Sequence, residues 1–138
     1  MKRNWFSNFI PFSAPMAYQG LSFRTPEHFY QAMKTLDFKQ RAKIAAVFSP
    51  AQAKQLGKKV TIRNDWGEIK VKVMEYALRH KFSDARWLNK LRRTNGPFVE
   101  WNYWHDNFWG HCCCKRCENR PHLNNLGKLI DKLQREFA

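Results

Sequence analysis

Two acidic residues of this sequence lie among aromatic side chains, where a carboxyl group can transfer protons. Glu27 falls in the first turn of a predicted helix, next to His28 and near aromatic residues that would shield it from water. Asp106 lies within the aromatic segment 104–110. A carboxyl group shielded in this way suits general acid or base catalysis. A simpler explanation is open for each, because an acidic residue in a first turn stabilises the helix dipole and Asp followed by Asn is common in turns.

Two lysines and a third carboxylate are further candidates. Lys34 and Lys70 lie on predicted helices beside apolar positions, and Lys34 follows Glu27 by about two helical turns. A partly buried lysine can attack the aldehyde of an opened sugar and form a Schiff base, although a side chain that reaches out to solvent is the commoner behaviour for a residue such as Lys70. Glu100 precedes Trp101 at the end of a predicted extended segment. It could act as a second carboxylate or pair with one of the many Lys and Arg residues.

The four cysteines fall within six positions, Cys112, Cys113, Cys114 and Cys117, with His111 before them and His122 after them. A disulfide framework would spread its cysteines along the chain, so we do not expect one. Thiolates and an imidazole can instead bind Zn²⁺ tetrahedrally. We expect Cys112, Cys114 and Cys117 to do so with one of the two histidines, of which we favour His122. The alternative is a loop of reduced thiols.

The elements that must position these residues are mainly helical. Capping residues and apolar spacing predict helices that begin at Thr25-Pro26, Asp37, Ser49-Pro50 and Asn64-Asp65, another around Trp87, and a last one from about Asn124. A hairpin is predicted around Gln19-Gly20, a short strand over 59–63, an extended segment over 97–101 and a loop over 102–123. We therefore predict an α+β fold, mainly helical with a small β-sheet, as a single domain over residues 1–138.

The amino-acid composition of the chain excludes some classes of protein and favours others. The 138 residues are 43% hydrophobic, which is too apolar for a disordered basic tail. The 25 Lys and Arg residues against 11 Asp and Glu give a net charge of +14 and predict an acidic partner. Six tryptophans beside so many cations suit the stacking of nucleobases, although core packing also uses tryptophan.

Because no apolar segment approaches the length of a membrane span and the N-terminus lacks a signal-peptide pattern, we expect a soluble, cytoplasmic protein that binds no membrane.

Several motifs of the chain resemble those of the NADAR family, also called YbiA-like, and they occur in the same order. They are Ser7-Asn8-Phe9, the run from Glu27 to Lys34, Asp65-Trp66 with Ile69-Lys70, Val73-Met74, Ala77-Leu78, Lys81-Phe82, Thr94 with Gly96, Val99-Glu100, Asp106 with Phe108-Trp109-Gly110, and Asn124 with Leu126-Gly127. Together these motifs cover nearly the whole chain.

The resemblance implies an enzyme that cleaves N-glycosidic bonds to ribose. Members of the family remove ADP-ribose from guanine in nucleic acid, and others hydrolyse early phosphoribosyl intermediates of riboflavin biosynthesis. The residues that this chemistry singles out in the family correspond here to Glu27, Trp66, Asp106 and Trp109, with Asn8 and Lys34 nearby in the motif pattern.

Cleavage of the bond between ribose C1′ and nitrogen builds positive charge on the sugar and negative charge on the base, so it needs an anion beside the sugar and a proton donor near the base. We expect Glu27, Asp106 and Lys34 to be catalytic, and substrate to be bound by Asn8, Trp66, Trp109, Glu100 and Lys70. Bond cleavage requires no cofactor in this scheme, and any Zn²⁺ would be structural.

The charge of +14 favours ADP-ribosylated nucleic acid as the partner over a ribosyl-phosphate small molecule. Two alternatives stay open. One is hydrolysis of the riboflavin intermediates, and the other is a module that binds ADP-ribose or nucleic acid without turnover.

Overall fold

The computed structural model describes residues 5–138, which divide into two compact units, one ending at Asp84 and the other spanning Ala85–Ala138. The first unit contains β1 (Met16–Tyr18), β2 (Leu21–Phe23), α1 (Pro26–Ala32), α2 (Phe38–Ala46), α3 (Pro50–Gly57) and α4 (Trp66–Phe82). The second contains α5 (Ala85–Arg93), β3 (Trp101–Asn102), β4 (His111–Cys112), a 3₁₀ turn (Lys115–Cys117) and α6 (Asn125–Glu136). The predicted fold class, mainly helical α+β, is confirmed. None of the helices in the described part of the chain is long and apolar enough to cross a bilayer.

The starts of the first helices follow from side chains that satisfy the free amides of a first turn. Thr25 Oγ1 accepts a hydrogen bond from the backbone N–H of His28 at 3.1 Å, and Pro26 occupies the first helical position. Ser49 and Gln52 cap α3 reciprocally. These local signals confirm the predicted starts of α1 and α3.

The predicted hairpin is also confirmed. β1 and β2 pair antiparallel, and the turn between them places Gln19 and Gly20 at φ values of 47° and 81°. Two consecutive left-handed residues give a turn whose twist matches that of the flanking strands. The Gln19-Gly20 pair therefore sets the register that pairs Met16 with Phe23.

Helix α1 is the centre of the first unit. It packs against α2, α3 and α4, and all seven of its residues are buried. Its apolar side chains join a core that also includes Phe23, Ile44, Ala53 and Ala77. The same packing holds three polar residues of α1 inside the protein, namely Glu27, His28 and Gln31.

The strand predicted over 59–63 was wrong, because this segment pairs with no strand of the described chain. Its polar groups are satisfied elsewhere: the backbone N–H of Thr61 donates to Gln40 Oε1 at 2.9 Å, and that of Arg63 donates to Lys34 O at 2.7 Å. Ile62, which would face the core of a sheet, is 57% exposed. The alternating β-branched pattern of residues 59–63 therefore belongs to a loop and not to a β-strand.

The second unit has its own buried residues. The apolar stripe of α6, Leu126, Leu129, Ile130 and Leu133, is buried as predicted. Gln134 Nε2 donates to the carbonyl oxygens of Leu91 and Thr94 at 2.7 and 2.6 Å and so ties α6 to the end of α5. β3 and β4 form a short parallel pair that joins the two ends of an aromatic loop.

Candidate functional site

Glu27 is held inside the first unit, and two of its hydrogen bonds are made with neutral partners. Its side chain is 8% exposed, and Oε1 accepts a hydrogen bond from Gln31 Nε2 at 2.7 Å. Its backbone N–H donates to the carbonyl oxygen of Asn8 at 3.1 Å. The carboxylate therefore has a fixed orientation, one helical turn before the amide that holds it.

The segment before β1 brings Asn8 to the start of α1. Asn8 Oδ1 is buried and accepts no hydrogen bond from the described residues. Unpartnered buried amide oxygens are uncommon in proteins, so the predicted substrate-binding role of Asn8 stays a prediction that this feature favours.

The cation that secures this segment was missed in our sequence analysis. Lys81 is 1% exposed, and its Nζ donates to Trp5 O at 2.8 Å and to Ser7 O at 3.5 Å. Its position on α4, among the buried residues Ala77, Leu78 and Phe82, was the available signal. A lysine on an apolar helix face needs carbonyl or carboxylate partners, and here it positions the backbone that carries Asn8.

Lys34 lies in the turn directly after α1 and is half-buried. Burial lowers the pKa of its ammonium group below the ordinary value of 10.5, and the charge of Glu27 opposes that shift. The nearby charges of Lys54, Lys58 and Lys70 lower the pKa further. Lys34 therefore stands in the field of one carboxylate and three other cations.

The ring of Tyr30 lies near Lys34, and the ring of Trp66 lies beside that of Tyr30. The Nζ atom of Lys34 lies 5.8 Å from the centroid of the Tyr30 ring, and the Tyr30 and Trp66 centroids are 5.0 Å apart. Trp66 is half-buried at the first position of α4. The structure thus gathers the first-unit candidates, a carboxylate, an amine of lowered pKa, a flat ring and several cations, around α1 and the start of α4.

In the second unit, Asp106 has a turn-forming role. Its Oδ1 accepts hydrogen bonds from the backbone N–H groups of Phe108 and Trp109 at 3.2 and 2.9 Å. Trp109 is half-buried, with its ring edge-on to Phe108 at a centroid separation of 4.9 Å. The predicted catalytic role of Asp106 and the binding role of Trp109 stay predictions.

Glu100 is half-buried and fixed through its backbone. Its N–H donates to Asn124 Oδ1 at 3.0 Å, and its carbonyl oxygen accepts from His111 N–H at 2.8 Å. Gly110 lies so close to this carbonyl that any Cβ at position 110 would overlap it. The role of Glu100 in substrate binding also stays a prediction.

Four side chains of the second unit could hold a metal ion. They are His105, Cys112, Cys114 and Cys117, whose Nδ1 and Sγ atoms all lie within 4.8 Å of one another. Cys113 is exposed and outside this group, as we predicted.

The described structure brings neither His122 nor His111 into this cluster, and the predicted ligand role of His122 stays a prediction. The rings of His111 and His122 stack on each other at 3.7 Å, and His122 Nε2 donates to the carbonyl oxygen of Cys117 at 2.9 Å. His105 takes the position instead, with a left-handed φ of 69° that folds the loop back toward the cysteines. Linear spacing gave no signal for this turn.

Known proteins resemble this chain over nearly its whole length. The NADAR domain family matches residues 1–138 of this chain. The N-glycosidase YbiA of Escherichia coli is 34% identical over 137 residues, which are 96% of this chain and 81% of that protein. An N-glycosidase of Nostoc punctiforme is 34% identical over 138 residues, with 96% and 84% covered.

A third relative is a plant protein that is named for riboflavin biosynthesis. The chloroplastic riboflavin biosynthesis protein PYRR of Zea mays is 33% identical over 150 residues, which cover 96% of this chain and 23% of that protein.

Among solved structures, the NMR structure of E. coli YbiA superposes with a TM-score of 0.79 at 33% identity and covers 96% of this chain and 77% of that one. This likeness confirms the mainly helical α+β fold.

Proposed function

Because this chain belongs to the NADAR family, we propose that it is an N-glycosidase that hydrolyses the bond between a base and ribose. The observation that carries the proposal is the burial of an oriented carboxylate, Glu27, close enough to the half-buried Lys34 for its charge to raise the pKa of that lysine. Burial of Lys34 lowers the same pKa. The carboxylate can act as a general acid or base and the lysine as a nucleophile, which is one of the ways to cleave a glycosidic bond.

The favoured substrate is ADP-ribose attached to guanine in nucleic acid. Lys54, Lys58 and Lys70 surround Lys34 with positive charge, which suits the two phosphates of ADP-ribose. The net charge of +14 would also attract the nucleic-acid backbone. Trp66 beside Tyr30 offers a flat face for a base.

The proposed cleavage runs through Lys34. Opening of the ribose ring gives an imine between C1′ and the base nitrogen, and the amine of Lys34 adds to C1′. The bond from C1′ to the base breaks, the base leaves with a proton supplied by Glu27, and C1′ is left as an imine of Lys34. One water then adds to C1′ and releases the sugar aldehyde and the free lysine. The competing route is direct attack by a water that Glu27 or Asp106 activates, with no covalent intermediate.

The metal cluster has no part in these steps. Its four protein donors would fill a tetrahedral shell and leave no position for a reacting water, so we assign any Zn²⁺ there a structural role. The side chains of Glu27 and Lys34 supply the proton transfer and the nucleophile without a cofactor.

A second enzymatic function is supported by the relative from Zea mays, whose name places it in riboflavin biosynthesis. A phosphoribosyl intermediate carries the same ribose C1′ and one phosphate, which the lysines near Lys34 could bind. A module that binds without turnover is the third candidate. It has less use for a buried carboxylate held by Gln31.

Two parallel incubations test the proposal. The protein is mixed with guanine-ADP-ribosylated DNA and, separately, with the pyrimidine ribosyl-phosphate intermediate, and the released sugar is measured. Release from the DNA supports the favoured substrate, and release from the small molecule alone supports the second function. Tight binding to either without release would overturn the glycosidase proposal in favour of the binding module.

A further inference from the structure

We propose that His105, Cys112, Cys114 and Cys117 form a closed tetrahedral Zn²⁺ site that fixes the loop carrying Asp106. The distances fit one ion. His105 Nδ1 lies 3.4 Å from Cys117 Sγ, 3.3 Å from Cys114 Sγ and 3.9 Å from Cys112 Sγ. Donors bound about 2.0 to 2.3 Å from a tetrahedral Zn²⁺ lie about 3.3 to 3.8 Å from one another, so two of these distances fall in that range and the third, 3.9 Å, lies just above it.

The donor set selects the metal. Three thiolates and one imidazole are soft or borderline ligands, which suit Zn²⁺ and do not suit Ca²⁺ or Mg²⁺. The set contains four protein donors, so the site is closed and structural. His105 must bind through Nδ1 in its neutral form, with the proton on Nε2.

The backbone of the loop is arranged to bring the four donors together. Asn102 is buried, and its Oδ1 accepts hydrogen bonds from the N–H groups of Trp104 and Asp106 at 3.3 and 3.1 Å. Its Nδ2 donates back to Asp106 O at 2.8 Å. This side chain therefore closes the turn that contains His105.

The cysteine side of the site is held in the same manner. The N–H of Cys112 donates to Asn107 Oδ1 at 2.9 Å, and the N–H of Cys113 donates to Asn102 O at 2.8 Å. Cys112 and Cys117 are buried. The ligands thus lie on a turn, a β-strand and a 3₁₀ turn that other residues already fix.

The backbone of His105 turns its ring toward the cysteines. Its φ of 69° is left-handed, and the hydrogen bonds of Asn102 hold this turn. Coordination of Nδ1 would add a further restraint. Asp106 follows directly, so a metal on His105 would also hold the turn in which Asp106 accepts from Phe108 and Trp109.

The first test counts metal and thiols on the unmodified chain, purified under reducing conditions without chelator. We expect about one Zn²⁺ per chain and one thiol that reacts rapidly, the exposed Cys113, with all four reacting after chelation. Four rapidly reacting thiols and no metal before chelation would overturn the proposal, as would iron in place of zinc. This test holds whether or not the chain is a glycosidase.

The second test assigns the ligands with matched pairs. Cys114→Ser and His105→Ala should lose the metal, whereas Cys113→Ser and His122→Ala should keep it. Co²⁺ added to the chelated wild-type protein should give the intense visible bands of a tetrahedral thiolate site. Metal retained by His105→Ala and lost by His122→Ala would overturn the ligand set, and weak bands typical of octahedral Co²⁺ would overturn the geometry.

Discussion

Gln31 donates a hydrogen bond of 2.7 Å from Nε2 to Oε1 of Glu27, and both side chains are buried. The partners lie four residues apart on α1, so the helix itself sets their separation. In this contact the proposed catalytic carboxylate is oriented by a neutral amide. The hydrogen bond fixes where this carboxylate oxygen lies relative to the rest of α1.

We expect Glu27→Gln to lower turnover by about 10² to 10⁴, the usual contribution of a general acid or base. The substitution preserves shape and leaves an oxygen that can accept from Gln31, so folding and ligand binding should change little. The measurement is the rate of sugar release at saturating substrate. The matched control is Glu68→Gln, an exposed first-turn residue of α4. A Glu27→Gln variant with more than half the wild-type rate would contradict the assigned role.

The space beside Gln31 depends on Gly57. A Cβ added at Gly57 would overlap the Oε1 and Cδ atoms of Gln31. We expect Gly57→Ala to destabilise the fold by about 1 to 3 kcal/mol through overpacking and to lower activity by shifting the amide that holds Glu27. Urea unfolding and sugar release measure the two effects.

The control for Gly57→Ala is Gly67→Ala, because a Cβ at Gly67 meets nothing within 4 Å. Gly67 lies in α4, where alanine should stabilise by about 0.4 to 1 kcal/mol. Equal effects of the two substitutions would show that Gly57 gives Gln31 no special room.

Borohydride added during turnover should trap the proposed imine as a permanent adduct on Lys34. Because burial lowers the pKa of Lys34 below 10.5, its amine is free at a lower pH than that of an exposed lysine, and trapping should rise with pH and level off below that value. Mass spectrometry and peptide mapping identify the modified residue. Lys39→Ala, an exposed position on α2, should trap normally, and Lys34→Ala should not. An active Lys34→Ala variant with no adduct in the wild type would leave the water route.

Binding to unmodified single-stranded DNA should weaken steeply with salt, because lysines that contact phosphates release counterions. Replacing both Lys54 and Lys58 with Gln should make the slope of log affinity against log salt shallower by roughly 1.4, about 0.7 for each phosphate that is no longer neutralised. Fluorescence anisotropy over a salt series measures the slope. The control is a variant in which the exposed Lys39 and Lys43 of α2 are both replaced with Gln, and its salt slope is compared with that of the Lys54 and Lys58 variant. A flat wild-type slope would contradict the nucleic-acid preference.

We expect Lys81→Met to destabilise the protein by about 1 to 3 kcal/mol, because it removes the buried ammonium group that donates to the carbonyls of the half-buried Trp5 and Ser7. The Michaelis constant should rise as well if Asn8 contacts substrate. Urea unfolding and steady-state kinetics measure the two effects. Lys72→Met, an exposed position on the same helix, should be neutral in both.

Features set by neighbours in sequence were the ones that sequence analysis could predict. Thr25 and Ser49 cap helices that begin one residue later, and Gln19-Gly20 closes a hairpin of adjacent strands. The amphipathic stripe of α6 depends on residues at most seven positions apart. In each case the interaction partner lies within a short stretch of chain.

Two of the features that sequence analysis missed depend on partners far along the chain, and the third depends on an unusual turn. Lys81 donates to carbonyl groups more than seventy positions away, and residues 59–63 resembled a strand because their partners Gln40 and Lys34 lie over twenty residues earlier. His105 reaches the cysteines only through a left-handed turn closed by Asn102. Residue type pointed to the cysteine cluster, but linear spacing did not indicate which histidine lies beside it.

The complete burial of α1 limits how this protein can be engineered. A helix with no solvent face offers no site for a dye, a spin label or a tether near Glu27, and a larger side chain on it must displace the core. A screen for altered substrate range would gain little from randomising α1, since most changes there would yield insoluble protein. The more useful library varies the ends of α3 and α4, where Lys58 is exposed and Trp66 and Lys70 are half-buried.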